Sequence, residues 1–141
     1  MTTCTFFGHK DCPHNIEPLL KEKIIDLINQ GVTHFLVGNE GSFDLIVQKV
    51  LEEIINTYKI HYDVVLAYLK GENINHQIMF DGFETIHPKF AIEKRNDFML
   101  KKADVIVCYI NYSFGGAYKF VKKAVNKKIP VINLGALDLY K

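Results

Sequence analysis

The sequence predicts an α/β fold in which about five parallel strands form a sheet that helices cover on both faces. Segments typical of strands and of helices alternate along the whole chain. The strand segments are apolar along most of their length, which is expected when both faces of a sheet are buried. We therefore expect a Rossmann-like three-layer sandwich.

The first half of the chain contains three predicted strands and two predicted helices. The first two strands stop at Gly8 and Gly38, as expected for strands that enter tight turns. Asn15 is the predicted N-cap of the first helix, which has Pro18 in its first turn and Gly31 at its end. The strands cover residues 3–7, 33–37 and 63–69, and the helices cover residues 16–28 and, from near Ser42, 42–55.

The second half begins with a long connection over residues 70–88. Its periodicity is weak and it contains Gly71, Gly82 and Pro88, so we expect a lid or binding loop, or alternatively a mobile insertion. A helix over residues 90–102, a strand over 104–110, a helix over 115–126 and a strand over 130–134 complete the chain.

Composition limits the classes of function. The 141 residues suit one globular domain, and a net charge of +1 does not favour a nucleic-acid or anionic membrane partner. Three cysteines are an odd number in a chain large enough to fold without disulfides. With no apparent signal peptide and no long apolar run, these features predict a cytoplasmic protein.

Three loops join a predicted strand end to a predicted helix start, at the sheet edge where parallel α/β proteins bind ligands. They cover residues 8–12, 38–44 and 111–117. At Gly115 and Gly116 backbone amides can approach a phosphate closely, and Ser113 adds a hydroxyl, although a glycine pair also suits a plain tight turn. The chain has neither the GxGxxG fingerprint of dehydrogenases nor the GxxxxGK[ST] phosphate loop.

Four motifs in order, TCTFFGHKDCP, VGNEGSFD, RNDFM and YSFGGAYKF, resemble the YpsA-like branch of the SLOG superfamily. The resemblance spans nearly the whole chain. It implies a Rossmann-like fold that binds nucleotides or nucleotide-derived ligands. The superfamily includes the Lonely-Guy phosphoribohydrolases, which cleave nucleoside monophosphates at the glycosidic bond.

The motifs of those enzymes are only partly present. Arg95 and Met99 match their RKxxM helix, with Asn96 in place of lysine, and the glycine loop resembles a shortened PGGxGTxxE. Aligned through Gly116, the catalytic glutamate of that loop falls on Phe120. Phenylalanine carries no charge and moves no proton, so the hydrolytic mechanism of the enzymes is not expected here.

The resemblance and the loops together predict a ligand site. We expect phosphate at Arg95 and at the turn of Gly115 and Gly116, and ribose near Asn39 and Asp44. Arg95 as a surface ion-pairing residue, and Asp44 as a carboxylate that complements a helix dipole, are the plainer alternatives. The predicted ligand-binding residues are Gly8, His9, Lys10, Gly38, Asn39, Gly41, Asp44, Arg95, Ser113, Phe114, Gly115 and Gly116.

Phe114 is the favoured neighbour of a base among the aromatic residues near strand ends, for which ordinary packing is the alternative. His9, Cys12 and His14 lack the spacing of a known zinc pattern, so no metal and no cofactor is expected.

Three functions remain open at this point. The first is binding of a nucleotide or nucleotide-derived small molecule. The second is an N-glycosidase or deoxyribosyltransferase, with Glu40, Asp44 and Arg95 as candidate catalytic residues, because a carboxylate stabilises an oxocarbenium-like transition state. The third is regulation through protein contacts, with a homodimer implied by the superfamily.

Overall fold

The computed structural model describes residues 2–68 and 76–141. These residues form one sheet with helices packed on both of its faces. The strands are β1 (Thr2–Gly8), β2 (Val32–Val37), β3 (His61–Leu66), β4 (Gln77–Met79), β5 (Val105–Tyr109) and β6 (Val131–Asn133), and the helices are α1 (Glu17–Asn29), α2 (Ser42–Ile54), α3 (Ala91–Lys102) and α4 (Gly116–Asn126).

Within the described residues, the sheet has the order β4-β3-β2-β1-β5-β6 and every pairing is parallel. The predicted Rossmann-like three-layer sandwich is thus confirmed as the fold class. The chain moves outward from β1 to β4 and then returns to β5 on the other side of β1. The strand order therefore reverses between β1 and β5, and this is where open α/β sheets form a ligand crevice.

Two hydrophobic clusters separate the layers. On one face, α1 and α2 pack against the sheet, with Leu20 and Phe43 fully buried beside Phe6. On the other face, α3 and α4 supply Met99 and Val121, which are equally buried. Burying such an apolar side chain contributes roughly 1.5–3 kcal/mol. The alternation along each strand divides its side chains between the two clusters and so sets which residues face which helices.

One predicted connection is partly wrong. Within residues 70–88, the structure describes only residues 76–88, and these contain β4, which pairs with β3 at the edge of the sheet. Two short 3-10 helices, Phe83–Thr85 and Pro88–Phe90, follow it. A three-residue strand is too short to show a period, which is why five strands were expected and six are present. Residue 69, the last of the third predicted strand, and residues 70–75 lie outside the described residues.

The predicted N-cap of the first helix is also wrong. A short 3-10 helix, His14–Ile16, precedes α1, so Ile16 occupies the N-cap position and no side chain caps the helix. Asn15 lies inside that 3-10 turn instead. The predicted position of Pro18 in the first turn is confirmed. Gly31, with a φ of +107°, follows the helix end in a conformation that favours glycine.

Cys4, Cys12 and Cys108 are all free and buried. None of the helices in residues 2–68 and 76–141 has the length and apolar character needed to cross a membrane.

Candidate functional site

A cleft of about 340 Å³ opens at the carboxyl end of the sheet, where β1, β2 and β5 lie side by side. This volume is in the range of small-molecule sites. The loops that follow β1, β2 and β5 form its walls together with one face of α3. The cleft is lined by Phe6, Phe7, Gly8, His9, Lys10, Gly38, Glu40, Asp44, Ile92, Arg95, Asn96, Met99, Tyr112, Phe114, Gly115, Gly116 and Ala117.

Arg95 brings a buried positive charge to this cleft. It lies on α3 and is only 4% exposed. Its Nε donates a hydrogen bond to Oδ1 of Asn96 at 2.9 Å, and its Nη1 donates a long one to the carbonyl of Val65 at 3.5 Å. Burial lowers the pKa of Arg95, and the nearby Asp44 carboxylate opposes that shift. An arginine titrates so far above neutral pH that the guanidinium stays charged.

Among the nearby groups, the carboxylate of Asp44 has the largest effect in raising the pKa of Arg95. It lies in the first turn of α2, is 6% exposed, and its Oδ2 accepts a hydrogen bond from the backbone N–H of Glu40 at 2.9 Å. Burial raises the pKa of Asp44 to about 6, against the opposing pull of Arg95 and of that hydrogen bond. This carboxyl group therefore exchanges a proton close to neutral pH.

Gly38 lets Arg95 and Asp44 approach the end of β2. A Cβ atom at this position would lie 2.7 Å from Nη1 of Arg95 and 2.8 Å from Oδ2 of Asp44. Both charged atoms thus occupy the space that any other residue would fill. A larger residue at position 38 would push the ends of both side chains aside, so the glycine permits this close approach.

His9 places an unpartnered polar atom in the wall of the cleft. The side chain is 4% exposed, and its buried Nε2 has no hydrogen-bond partner among the described residues. Burial lowers the pKa of His9, with Asp11 opposing, so the imidazole is neutral at physiological pH. Buried polar atoms of proteins nearly always have a partner, so this nitrogen is available to a water molecule or to a ligand group.

A stack of three rings leads from this histidine to the rim. The imidazole of His9 lies flat on the ring of Tyr112, with centroids 3.6 Å apart and planes inclined by 7°. Phe114 continues the stack at 4.3 Å from Tyr112 and is 67% exposed. The hydroxyl of Tyr112 donates a hydrogen bond to Oδ1 of Asp11 at 3.3 Å, which holds the middle ring in place.

The amino terminus of α4 forms the opposite wall. Its N-cap is Gly115, with φ +94° and ψ 170°, and no side chain caps the helix. A Cβ atom on Gly115 or Gly116 would meet nothing within 4 Å, so this turn is open. The first N–H groups of a helix point along its axis and carry the positive end of its dipole. An anion in the cleft therefore has backbone donors available to it.

The structure places most, but not all, of the predicted ligand residues at the cleft. Asn39 accepts a hydrogen bond from Gln48 at 3.2 Å and does not line it. Gly41, the N-cap of α2, packs against the backbone of Lys10, and Ser113 lies exposed outside the lining set. The lining residues among those predicted are Gly8, His9, Lys10, Gly38, Asp44, Arg95, Phe114, Gly115 and Gly116, together with the candidate Glu40.

Several lining residues were not among those predicted. On α3, Ile92, Asn96 and Met99 share a face with Arg95, and their spacing of three to four residues was a signal that sequence reasoning could have used. Tyr112 lies beside Phe114 in the predicted loop over residues 111–117, and this aromatic pair was a signal for a ring at the site. The remaining ones, Phe6, Phe7 and Ala117, belong to a strand end and a helix start, where the sequence shows only core-like residues.

Phe120, the position aligned with the catalytic glutamate of the enzymes whose motifs this sequence resembles, does not line the cleft. It is 2% exposed and stacks on Phe7 with ring centroids 5.9 Å apart. Glu40 and Asp44 are the acidic residues among those that line the cleft.

Neither family models, curated proteins nor solved structures match this chain. The assignment to the SLOG superfamily rests on the four sequence motifs and stays a prediction.

Proposed function

We propose that the cleft binds a nucleotide or a nucleotide-derived small molecule. The observation that carries this proposal is that a buried guanidinium, Arg95, lines the same cleft as the uncapped amino terminus of α4. Burying a cation costs free energy unless anionic groups compensate for it. Asp44 compensates in part, and an anionic ligand adds to this.

The phosphate contacts are Arg95 and the backbone at Gly115 and Gly116. A guanidinium offers several N–H donors in one plane, which suits the oxygen atoms of a phosphate. The open turn at Gly115 supports close approach of the phosphate to backbone amides, because a Cβ built at Gly115 or Gly116 would meet no described atom within 4 Å.

The ring stack supports recognition of a base. Phe114 lies at its exposed end, and an aromatic platform of this kind contributes about 1–3 kcal/mol per stacked base. The unpartnered Nε2 of His9 is buried, and a small movement of the imidazole toward the cleft would supply a further polar contact, as donor or acceptor according to its tautomer. Asp44 is the proposed partner of a ribose hydroxyl. Asn39 is not proposed as a ribose contact, because its side chain accepts a hydrogen bond from Gln48 and does not line the cleft.

Calorimetric titration against AMP, NAD, ADP-ribose and cyclic nucleotides tests the proposal. Arg95→Ala is combined with Asp44→Asn so that no buried carboxylate is left unpaired. Relative to Asp44→Asn alone, the double variant should bind roughly 10- to 150-fold more weakly, which corresponds to the loss of a charged hydrogen-bond donor. The exposed neighbour Lys94 on the same helix provides the matched control, Lys94→Ala. Folded protein that binds no member of the panel would overturn the proposal, and unchanged affinity in the double variant would remove Arg95 from it.

A second candidate function is cleavage of an N-glycosidic bond. It is favoured by the two acidic residues that line the cleft, Glu40 and Asp44, and by the raised pKa of Asp44, which suits a group that must exchange protons. Water would add to the anomeric carbon while the base leaves with a proton. Release of free base from a nucleoside monophosphate, lost in Asp44→Asn and in Glu40→Gln, would establish this reaction. Intact substrate after prolonged incubation would exclude it for the nucleotides tested.

The superfamily resemblance adds a homodimer to the proposal, and the odd number of cysteines adds a cytoplasmic location. Size-exclusion chromatography with light scattering, with and without a bound nucleotide, tests the dimer.

A further inference from the structure

Two histidines and an aspartate lie together on strands β2 and β3, before the carboxyl ends of the strands where the cleft opens. His34 lies in β2, and His61 and Asp63 lie at the start of β3. The strands pair in register with His34 opposite His61 and Leu36 opposite Asp63. Because side chains alternate along a strand, all three residues project from the face that α3 and α4 cover.

The three side chains already contact one another. Nε2 of His34 lies 2.8 Å from Oδ2 of Asp63, and Nε2 of His61 lies 3.1 Å from Oδ1 of the same carboxylate. The two imidazole rings are 4.7 Å apart between centroids and nearly perpendicular. One ligand atom from each residue lies within 4.8 Å of the other two.

These separations are close to those of a metal site. A tetrahedral zinc ion with bonds of 2.0–2.1 Å requires ligand atoms about 3.4 Å apart. The two N···O distances, 2.8 and 3.1 Å, are slightly shorter than this and end on different oxygens of Asp63, so an ion bound to the carboxylate would require the two imidazoles to move outward. The side chains of His34 and Asp63 are 21% and 14% exposed and sit on paired strands, whereas that of His61 is 61% exposed and has room to rotate.

We propose that His34, His61 and Asp63 form a binding site for a divalent transition-metal ion of the zinc class. Imidazole nitrogens favour Zn²⁺, Co²⁺, Ni²⁺ and Cu²⁺, whereas Mg²⁺ and Ca²⁺ favour oxygen ligands. Three protein ligands leave a coordination position for water or for a group from another molecule. Binding requires each Nε2 to present its lone pair, so each imidazole would bind the ion as the neutral tautomer that carries its proton on Nδ1.

The site would link β2 to β3 rather than serve the cleft. β2 reaches the cleft at its carboxyl end, at Gly38, while His34 lies four positions earlier along the strand and His61 is the first residue of β3. A bound ion therefore connects two neighbouring strands and stabilises the folded state without contacting the proposed nucleotide. The metal proposal is independent of the proposed function.

Cobalt and zinc titrations test the site. Untagged protein treated with a chelator is titrated with Co²⁺ and followed by visible absorption, and Zn²⁺ stoichiometry is measured by elemental analysis after dialysis. We expect one ion per chain. His61→Gln, at an exposed position, should weaken binding by at least about tenfold, as should Asp63→Asn, and the stabilisation of the fold by Zn²⁺ should be lost with it.

His14→Gln is the matched control, since His14 is exposed and lies outside the cluster, and it should bind Zn²⁺ as the wild type does. Wild-type protein that retains no stoichiometric Zn²⁺ or Co²⁺ would overturn the proposal. So would equal metal binding by His61→Gln and wild type. Thermal unfolding without metal reports whether each variant is folded, so a folding defect is distinguished from a lost ligand.

Discussion

Replacing Asp44 by asparagine should remove a pH dependence of stability that the buried carboxyl imposes. Burial raises the pKa of Asp44 to about 6 in the folded protein. An aspartate in an unfolded chain titrates near 3.9, and a difference of about two pKa units corresponds to about 3 kcal/mol. Because the folded pKa is the higher one, the folded state holds the proton more tightly. The stabilisation is complete below pH ~4 and is lost as the pH rises through about 6.

Urea denaturation followed by circular dichroism at pH 4, 5, 6 and 7 measures this effect. The free energy of unfolding of the wild type minus that of Asp44→Asn should fall by about 2 kcal/mol from pH 4 to pH 7, because the unfolded carboxyl is already half ionised at pH 4. Taking the difference between the two proteins removes the contributions of other titrating groups. Asp81→Asn removes an exposed carboxylate and is the matched control. Parallel pH profiles for wild type and Asp44→Asn would refute the reasoning.

Three further substitutions test the site. Gly38→Ala should displace Arg95 and lower stability by about 1–3 kcal/mol, because its Cβ has no room; an unchanged denaturation midpoint would contradict this. His9→Phe keeps a flat ring beside Tyr112 but removes an unpartnered nitrogen. It should therefore stabilise the ligand-free protein by about 1 kcal/mol and weaken nucleotide binding. Lower stability with unchanged affinity would argue against the role assigned to His9. Gly115→Ala should cost about 1–2 kcal/mol in denaturation because φ is +94°, whereas Gly116→Ala, inside the helix, should not.

The position of the cleft was predictable from the sequence because it depends on chain order. Strands that end at Gly8 and Gly38 and lead into helices must bring their loops to one edge of a parallel sheet. β4 was not predictable, since three edge residues show no period. The proximity of His34 to Asp63 was hidden for another reason: they are 29 residues apart in sequence, and only the strand register brings them together.

The pKa shifts and the hydrogen bonding of side chains in the cleft could not be predicted from the sequence either. The GNEGSFD segment, residues 38–44, shows a loop and a carboxylate, but the pKa of Asp44 depends on how much water its surroundings exclude. The same holds for His9, whose missing partner is a property of the packed structure. Sequence motifs thus indicate which groups line a site, whereas burial determines the charge state of those groups.

The coupling between Arg95 and Asp44 predicts that nucleotide binding takes up a proton. A Cβ on Gly38 would lie within 2.8 Å of one atom of each, so the two charges are close neighbours. A phosphate bound at Arg95 adds a negative charge beside Asp44, which raises the carboxyl pKa above its ligand-free value of about 6. A ribose hydroxyl donated to Asp44 acts in the opposite direction, but a full charge in a buried site outweighs one neutral hydrogen bond.

Titration calorimetry with ADP-ribose, whose phosphates do not titrate near neutral pH, in two buffers of different ionisation enthalpy measures this proton. At a pH slightly above 6, where most of Asp44 is ionised before binding, we expect net uptake that disappears in Asp44→Asn. Net proton release would place the ribose hydroxyl, and not the phosphate, as the dominant neighbour of Asp44. Binding heats that are identical in both buffers would separate Asp44 from the ligand altogether.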